Sequence, residues 1–158
     1  MRAVDTNVLV RLVVRDSPEQ VRLAESFTAS GAWVSHLVLA EAMWVLDAVY
    51  DRTPVQVASA IDMLLNHKGL TIQDAEVVTA ALENFRKRPA LGFSDCLVLE
   101  IARKAGHTPL RAFDRDLEKL DGVKRAAWLP IALLHRPQDV PSKRSPLSRS
   151  AILALRER

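Results

Sequence analysis

The sequence contains one cysteine, Cys96, in 158 residues. An internal disulfide framework is therefore excluded, and a reducing, cytoplasmic setting is expected. Long apolar runs are missing too. The longest, such as "LVLAEAMWVL", are broken by acids and too short to span a bilayer, so no membrane association is expected. The N-terminus lacks a basic segment followed by an apolar core and a small-residue cleavage site, so no secretory signal is expected. There is no phosphate-binding glycine loop, which disfavours a nucleoside triphosphate substrate. His36, His67, His107 and His135 are scattered, and with a lone cysteine they give no zinc-ligand spacing. No serine sits in a nucleophile elbow and no Cys–His pairing is suggested, so covalent catalysis is not expected.

What is present is ordinary globular composition, 49% apolar and 26% charged, at a length that suits one domain with one hydrophobic core. The formal charge of +3 is unevenly spread. From His135 onward six Lys/Arg face only Asp139 and Glu157, leaving residues 1–134 with 16 bases and 17 acids. The high pI thus belongs to the C-terminal stretch and says little about the partners of the body. Residues 135–158, rich in Pro, Ser and basic side chains, read as a flexible tail appended to a domain spanning 1–134.

Strand and helix signals alternate along that domain. "RAV" reads as a short strand ending at Asp5, followed by a helix over "NVLVRLVV". Ser17, Pro18 and Gln20 have capping-box spacing, repeated by Thr53, Pro54 and Gln56. "AWVS", "LTIQ" and "TPLRAF" read as further strands, Ser35 and Asp74 as helix caps, and Gly69 as a helix stop. This alternation predicts an α/β fold, a three-layer α/β/α sandwich with a small, mostly parallel sheet.

Most acids fall where solvent would want them, and four do not. Asp5 and Asp114 follow strands, and the carboxyl ends of parallel strands form the crevice where ligands bind. The alternative for Asp5 is to cap the next helix. Glu41 shares a helical face with Leu37, Trp44, Val45 and Ala48, all apolar, which predicts a buried carboxylate that must be paired with an arginine, protonated or bound to a metal. Asp95 lies in a first helical turn, where the helix dipole alone would welcome it. Brought together, these carboxylates would repel, and a hard divalent cation would remove that cost. An oxygen-only ligand set suits Mg²⁺ or Mn²⁺, which in turn suits phosphoryl chemistry.

"VDTNVLVRL", "LAEAMWVL", "FSDCLVLEIARKAG" and "AFDRDLEKLDGV" together resemble the PIN-domain ribonucleases, most nearly the VapC-type toxins of toxin–antitoxin pairs. The resemblance covers about residues 1–134 and implies Mg²⁺- or Mn²⁺-dependent cleavage of RNA, commonly tRNA or rRNA, masked by a VapB-like antitoxin. It also implies a homodimer. Carried across, Asp5 and Asp95 match the principal metal ligands, and Glu41 and Asp114 complete the acidic set. Asp116 matches a further acid, while Thr6, Asn7 and Ser94 match polar positions that orient carboxylates, Ser94 alternatively capping its helix. One departure is Ala112, where the family often carries a threonine.

Other classes fare worse. A haloacid-dehalogenase-like phosphatase needs an acid at the position of Asn7, and a receiver-type domain needs a strand-end lysine that Thr108–Phe113 does not supply. A PIN fold kept as an RNA- or protein-binding module without nuclease activity stays open. Arg11, Arg86, Lys87, Arg88 and Arg115 are candidates to grip phosphates, or ordinary solvated charges. The early helices carry apolar side chains, Leu9, Val13, Val14, Leu23 and Phe27, which read as core or, through the resemblance, as a groove for the antitoxin.

Overall fold

The computed structural model describes residues 1–126. The basic tail and nearly all of the last apolar piece, "AAWLPIALL", lie outside the described residues. The order is β1 (Arg2–Ala3), α1 (Thr6–Val14), α2 (Pro18–Ala29), β2 (Ala32–Val34), α3 (His36–Ala48), α4 (Pro54–Leu65), β3 (Leu70–Ile72), α5 (Ala75–Lys87), α6 (Phe93–Lys104), β4 (Leu110–Ala112) and β5 (Val123–Arg125). A 3₁₀ turn, Leu117–Lys119, precedes β5.

The expected α/β class with a small parallel sheet is what the chain adopts. Among the described residues every strand pairing is parallel: β1, β2 and β3 form one ladder with β2 central, and β4 pairs with β5 in a second. The sequence reading did not include β5. Two of its three residues are Lys124 and Arg125, and it gains strand geometry only by pairing with β4.

The core is aliphatic. Leu9, Val34, Leu39, Leu46, Ile61, Leu64, Val78, Leu82 and Leu99 are fully buried. Burying a side chain of this size contributes roughly 1.5–3 kcal/mol. α3 packs against α1, α4 and α6, and α5 packs along α6.

Local cap chemistry is mostly as expected. Asp5 Oδ1 accepts from Val8 N, Ser35 Oγ accepts from Val38 N, and Thr53 with Gln56 forms a complete capping box. Two caps fail. Ser17 makes no side-chain cap bond; its ψ of 102° falls well short of the 156–177° of the three working caps. Asp74 sits in the left-handed region at φ 43° and pairs with Lys104 instead of capping α5. Gly69 is not the stop of α4, which ends at Leu65 with Asn66 Nδ2 donating to the Asp62 carbonyl. Its role is close approach, since a Cβ at Gly69 would collide with the Thr28 carbonyl.

The burial of acids reverses one expectation. Glu41 is exposed, because its neighbours Leu37 and Trp44 are 76% and 63% exposed and do not enter the core. The buried acid is Glu100, 7% exposed, which accepts from Asn84 Nδ2 at 2.7 Å and Arg103 Nη1 at 2.6 Å. Arg103 also donates to the Asp121 carbonyl and lies against Gly122, where φ is +80°. Removing Asn84's amide by Asn84→Ala should cost about 1–3 kcal/mol, the range for a hydrogen bond to a charged group plus the unmet acceptor. Urea unfolding monitored by circular dichroism measures this; an unchanged midpoint would show that Glu100 is satisfied without Asn84.

Candidate functional site

Parallel pairing sends the chain out of β1 and β4 at their carboxyl ends. Asp5 follows β1 and opens α1, whereas Asp114 follows β4 and opens the turn toward the 3₁₀ segment. Glu41 lies in the second turn of α3 and Asp95 in the first turn of α6. The packing of α3 on both α1 and α6 supplies the frame that relates these four positions.

Two interactions relate residues of the candidate set on different elements, one a hydrogen bond and one electrostatic. Thr6 Oγ1 donates to Glu41 Oε2 at 2.5 Å, tying the start of α1 to α3. The Asp95 carboxyl is held above its ordinary range, first by partial burial and then by the negative charge of Asp114, with the Gly92 backbone offsetting part of the rise. Asp95 and Asp114 therefore feel each other as like charges across the gap between α6 and the β4 exit.

Each of three acids commits one oxygen locally. Asp5 Oδ1 caps α1, Glu41 Oε2 takes the Thr6 hydroxyl, and Asp114 Oδ1 accepts from the backbone N–H of Asp116 at 2.7 Å and of Leu117 at 3.4 Å. The second oxygen of each has no hydrogen-bond donor among the described residues. Fixing one carboxylate oxygen orients the other, a common arrangement around metal sites. The set is all oxygen, and a divalent cation would relieve the Asp95–Asp114 repulsion, so the residues suit a hard metal in chemistry. Among the described residues, however, no group of three or more His, Cys, Asp or Glu is already gathered closely enough to hold an ion.

The remaining expected positions are placed as follows. Thr6 serves Glu41 rather than its neighbour Asp5. Asn7 lines a cleft between α1 and α2 with Val8, Leu23 and Phe27. Ser94 is not the cap of α6, whose N-cap is Gly92, and instead borders a pocket between α3 and the α5–α6 loop. Asp116 pairs with Lys119 at 2.5 Å, and that lysine, with help from Arg88, holds its carboxyl below the ordinary range. Arg11 is engaged with Asp16 at 2.6 Å and with Tyr50, and Arg86 is engaged with Asp62.

Sequence reasoning assigned one exposed aromatic beside the acids, Trp44, to the buried face of Glu41 and gave another, Phe113, no role. Trp44 stands one helical turn after Glu41, and Phe113, 72% exposed, directly precedes Asp114. It also passed over Asp47, one turn beyond Trp44. The apolar run of α3 hid both Trp44 and Asp47, because apolar residues on nearly every face give no inner and outer side to read.

Across residues 2–123 the chain matches the PIN domain family. Comparison with curated proteins and with solved structures gives no match.

The thiol beside the site supplies a check on its electrostatics. Cys96 is buried, and burial together with the charges of Asp95 and Glu100 pushes its pKa up to about 11. The thiolate is the reactive form, so Cys96 should be inert at pH 8. A colorimetric thiol reagent should detect no fast-reacting group in the folded chain and one after unfolding. Rapid labelling of the folded chain would contradict this environment.

Proposed function

The chain belongs to the PIN domain family, whose members are generally metal-dependent nucleases, and from that premise we propose that it is a metal-dependent endoribonuclease. The observation that carries the reading is the Thr6 hydroxyl bridging from α1 to Glu41 on α3, supported by the negative charge of Asp114 acting on Asp95. Asp5 and Asp95 would hold Mg²⁺ or Mn²⁺, with Glu41 and Asp114 completing the acidic set. When bound, such an ion supplies an acidified water and positive charge for attack at a phosphodiester.

The chain's own groups do the positioning. Asp5, Glu41 and Asp114 each present a free oxygen because the other is held by Val8 N, by Thr6, and by Asp116 and Leu117 N respectively. Ala112 contributes no hydroxyl, so Asp114 depends on its backbone donors for orientation. An acidic crevice repels RNA until its charge is offset, and basic groups around it must grip the phosphates. Lys87, Arg88 and Arg115 are the cations of that set which form no salt bridge among the described residues.

The finer biology in this reading is a cytoplasmic toxin acting on tRNA or rRNA and restrained by a VapB-like antitoxin. The cleft between α1 and α2 supports it. Leu23, 65% exposed, and half-buried Phe27 offer an apolar floor of the kind an amphipathic segment covers. A homodimer belongs to the same reading. Among the described residues no helix is long and apolar enough to cross a membrane.

The full chain should cleave RNA in Mg²⁺ or Mn²⁺, lose that activity in EDTA, and lose it in Asp5→Asn. Thr6→Val, which frees Glu41, should reduce the rate by about 10- to 100-fold. Cleavage that survives both EDTA and Asp5→Asn would overturn the assignment. RNA binding without cleavage by either protein would select the non-catalytic binding module.

A further inference from the structure

A cavity of about 210 Å³ opens between α3 and the loop joining α5 to α6, next to the acids. It adjoins the site on two sides. Ala40 and Trp44 on α3 flank Glu41, and Gly92 and Ser94 precede Asp95. Its floor is the edge-to-face pair Phe85 and Phe93, with ring centroids 6.1 Å apart at 70°, both buried. Its wall is the exposed indole of Trp44, and Asp47 stands on its rim.

Three properties define what would fit. The walls are aromatic and apolar, which suits a flat apolar body and not a phosphate. The rim carboxylate repels phosphate further and demands hydrogen-bond donors; Asp47 has no salt-bridge or hydrogen-bond partner among the described residues. Two cations adjoin the lining along the chain: Lys87 and Arg88 immediately precede Pro89 and Ala90, which form part of it. A nucleobase in the pocket with its phosphates along Lys87 and Arg88 satisfies all three.

We infer that the Trp44 pocket binds one unstacked nucleobase of the RNA next to the bond being cut, with Asp47 selecting guanine. Proteins that read single-stranded RNA stack splayed bases on aromatic rings and hydrogen-bond their Watson–Crick edges. Guanine presents two adjacent donors on that edge, N1–H and the N2 amino group, matching the two oxygens of one carboxylate. Uracil flanks its single N–H with two carbonyl acceptors, and adenine and cytosine set an acceptor beside their amino group. The pocket thus becomes a specificity subsite. The inference rests on the nuclease reading above, because continuity with the acids is what places the base beside a scissile phosphate.

The test uses the full chain and two fluorescein-labelled hexaribonucleotides, one all uridine and one with a single central guanosine. Binding is measured by anisotropy in the Asp5→Asn background, so that the probe is not consumed. The guanosine probe should bind about 10-fold or more tightly, as expected for a bidentate base contact. Asp47→Asn should remove most of that preference. Trp44→Ala should weaken both probes by about 10-fold, and Trp44→Phe should restore most of the loss, as stacking requires. Circular dichroism confirms that each variant is folded.

Equal binding of the two probes, or binding indifferent to Trp44→Ala, overturns the inference. Self-association that Trp44→Ala abolishes, without any effect on oligonucleotide binding, would assign the pocket to a second copy of the chain and also overturn it. Cleavage by the chain with Asp5 intact decides the nuclease reading separately. Activity with no pocket effect sinks the pocket alone. Guanosine-selective binding without cleavage sinks the nuclease and retains the pocket.

Discussion

A carboxylate enclosed between two helices must be met by donors or it destabilises the packing that encloses it, and Glu100 is met by two. Asn84 reaches it from α5 and Arg103 from one turn further along α6. Arg103 continues outward to the Asp121 carbonyl and lies against Gly122, whose left-handed backbone turns the chain into β5. Because β5 pairs with β4, and β4 leads directly to Asp114, this chain of contacts relates the loop of one acid to the helix that bears another. The burial of Glu100 thus ties α6, which carries Asp95, to the strand pair that leads to Asp114.

The crevice is arranged on the opposite electrostatic principle. Its acids are exposed or partly so, none has a cationic side chain within pairing distance, and their hydrogen bonds come from a hydroxyl and backbone amides. Several acids outside it are paired: Asp16 with Arg11, Asp62 with Arg86, Asp74 and Glu76 with Lys104, Asp116 with Lys119. Among the described residues several acids elsewhere, such as Glu19, Asp51 and Glu83, are also unpaired, but those stand alone on the surface, whereas Asp95 and Asp114 act on each other. Unspent negative charge there is what a divalent cation would require, and the Asp47 rim extends the same pattern toward a base.

Much of this was legible in the sequence wherever the deciding physics is local. The alternation of strands and helices, the Thr53–Gln56 capping box and the caps at Asp5 and Ser35 depend on a few consecutive residues, and all are present. The positions of Asp5 and Asp114 after strands followed from the same local pattern. What eluded sequence reading depends on distant partners. The residues around Glu41 look like a core because α3 is apolar on nearly every face, yet Leu37 and Trp44 face outward. Glu100 looks like a solvated partner of Arg103 three residues on, and only Asn84, sixteen residues earlier, marks it as interior. β5 has no pattern of its own, and Asp74 caps nothing because Lys104 holds it from another helix.

Gly69 shows how such long-range constraints would be recorded in evolution. Its missing side chain lets the entry to β3 pass against the end of α2 at Thr28, whose own hydroxyl is spent on the Ala24 carbonyl in the preceding turn. Any side chain at that position would have to push the helix from the ladder, so descent should purge every replacement there, whatever ligand a lineage binds. Asp47, held by no partner among the described residues, would be free to drift if the proposed base contact changed. Comparing how fast these two positions diverge would separate the history of the scaffold from the history of its substrate.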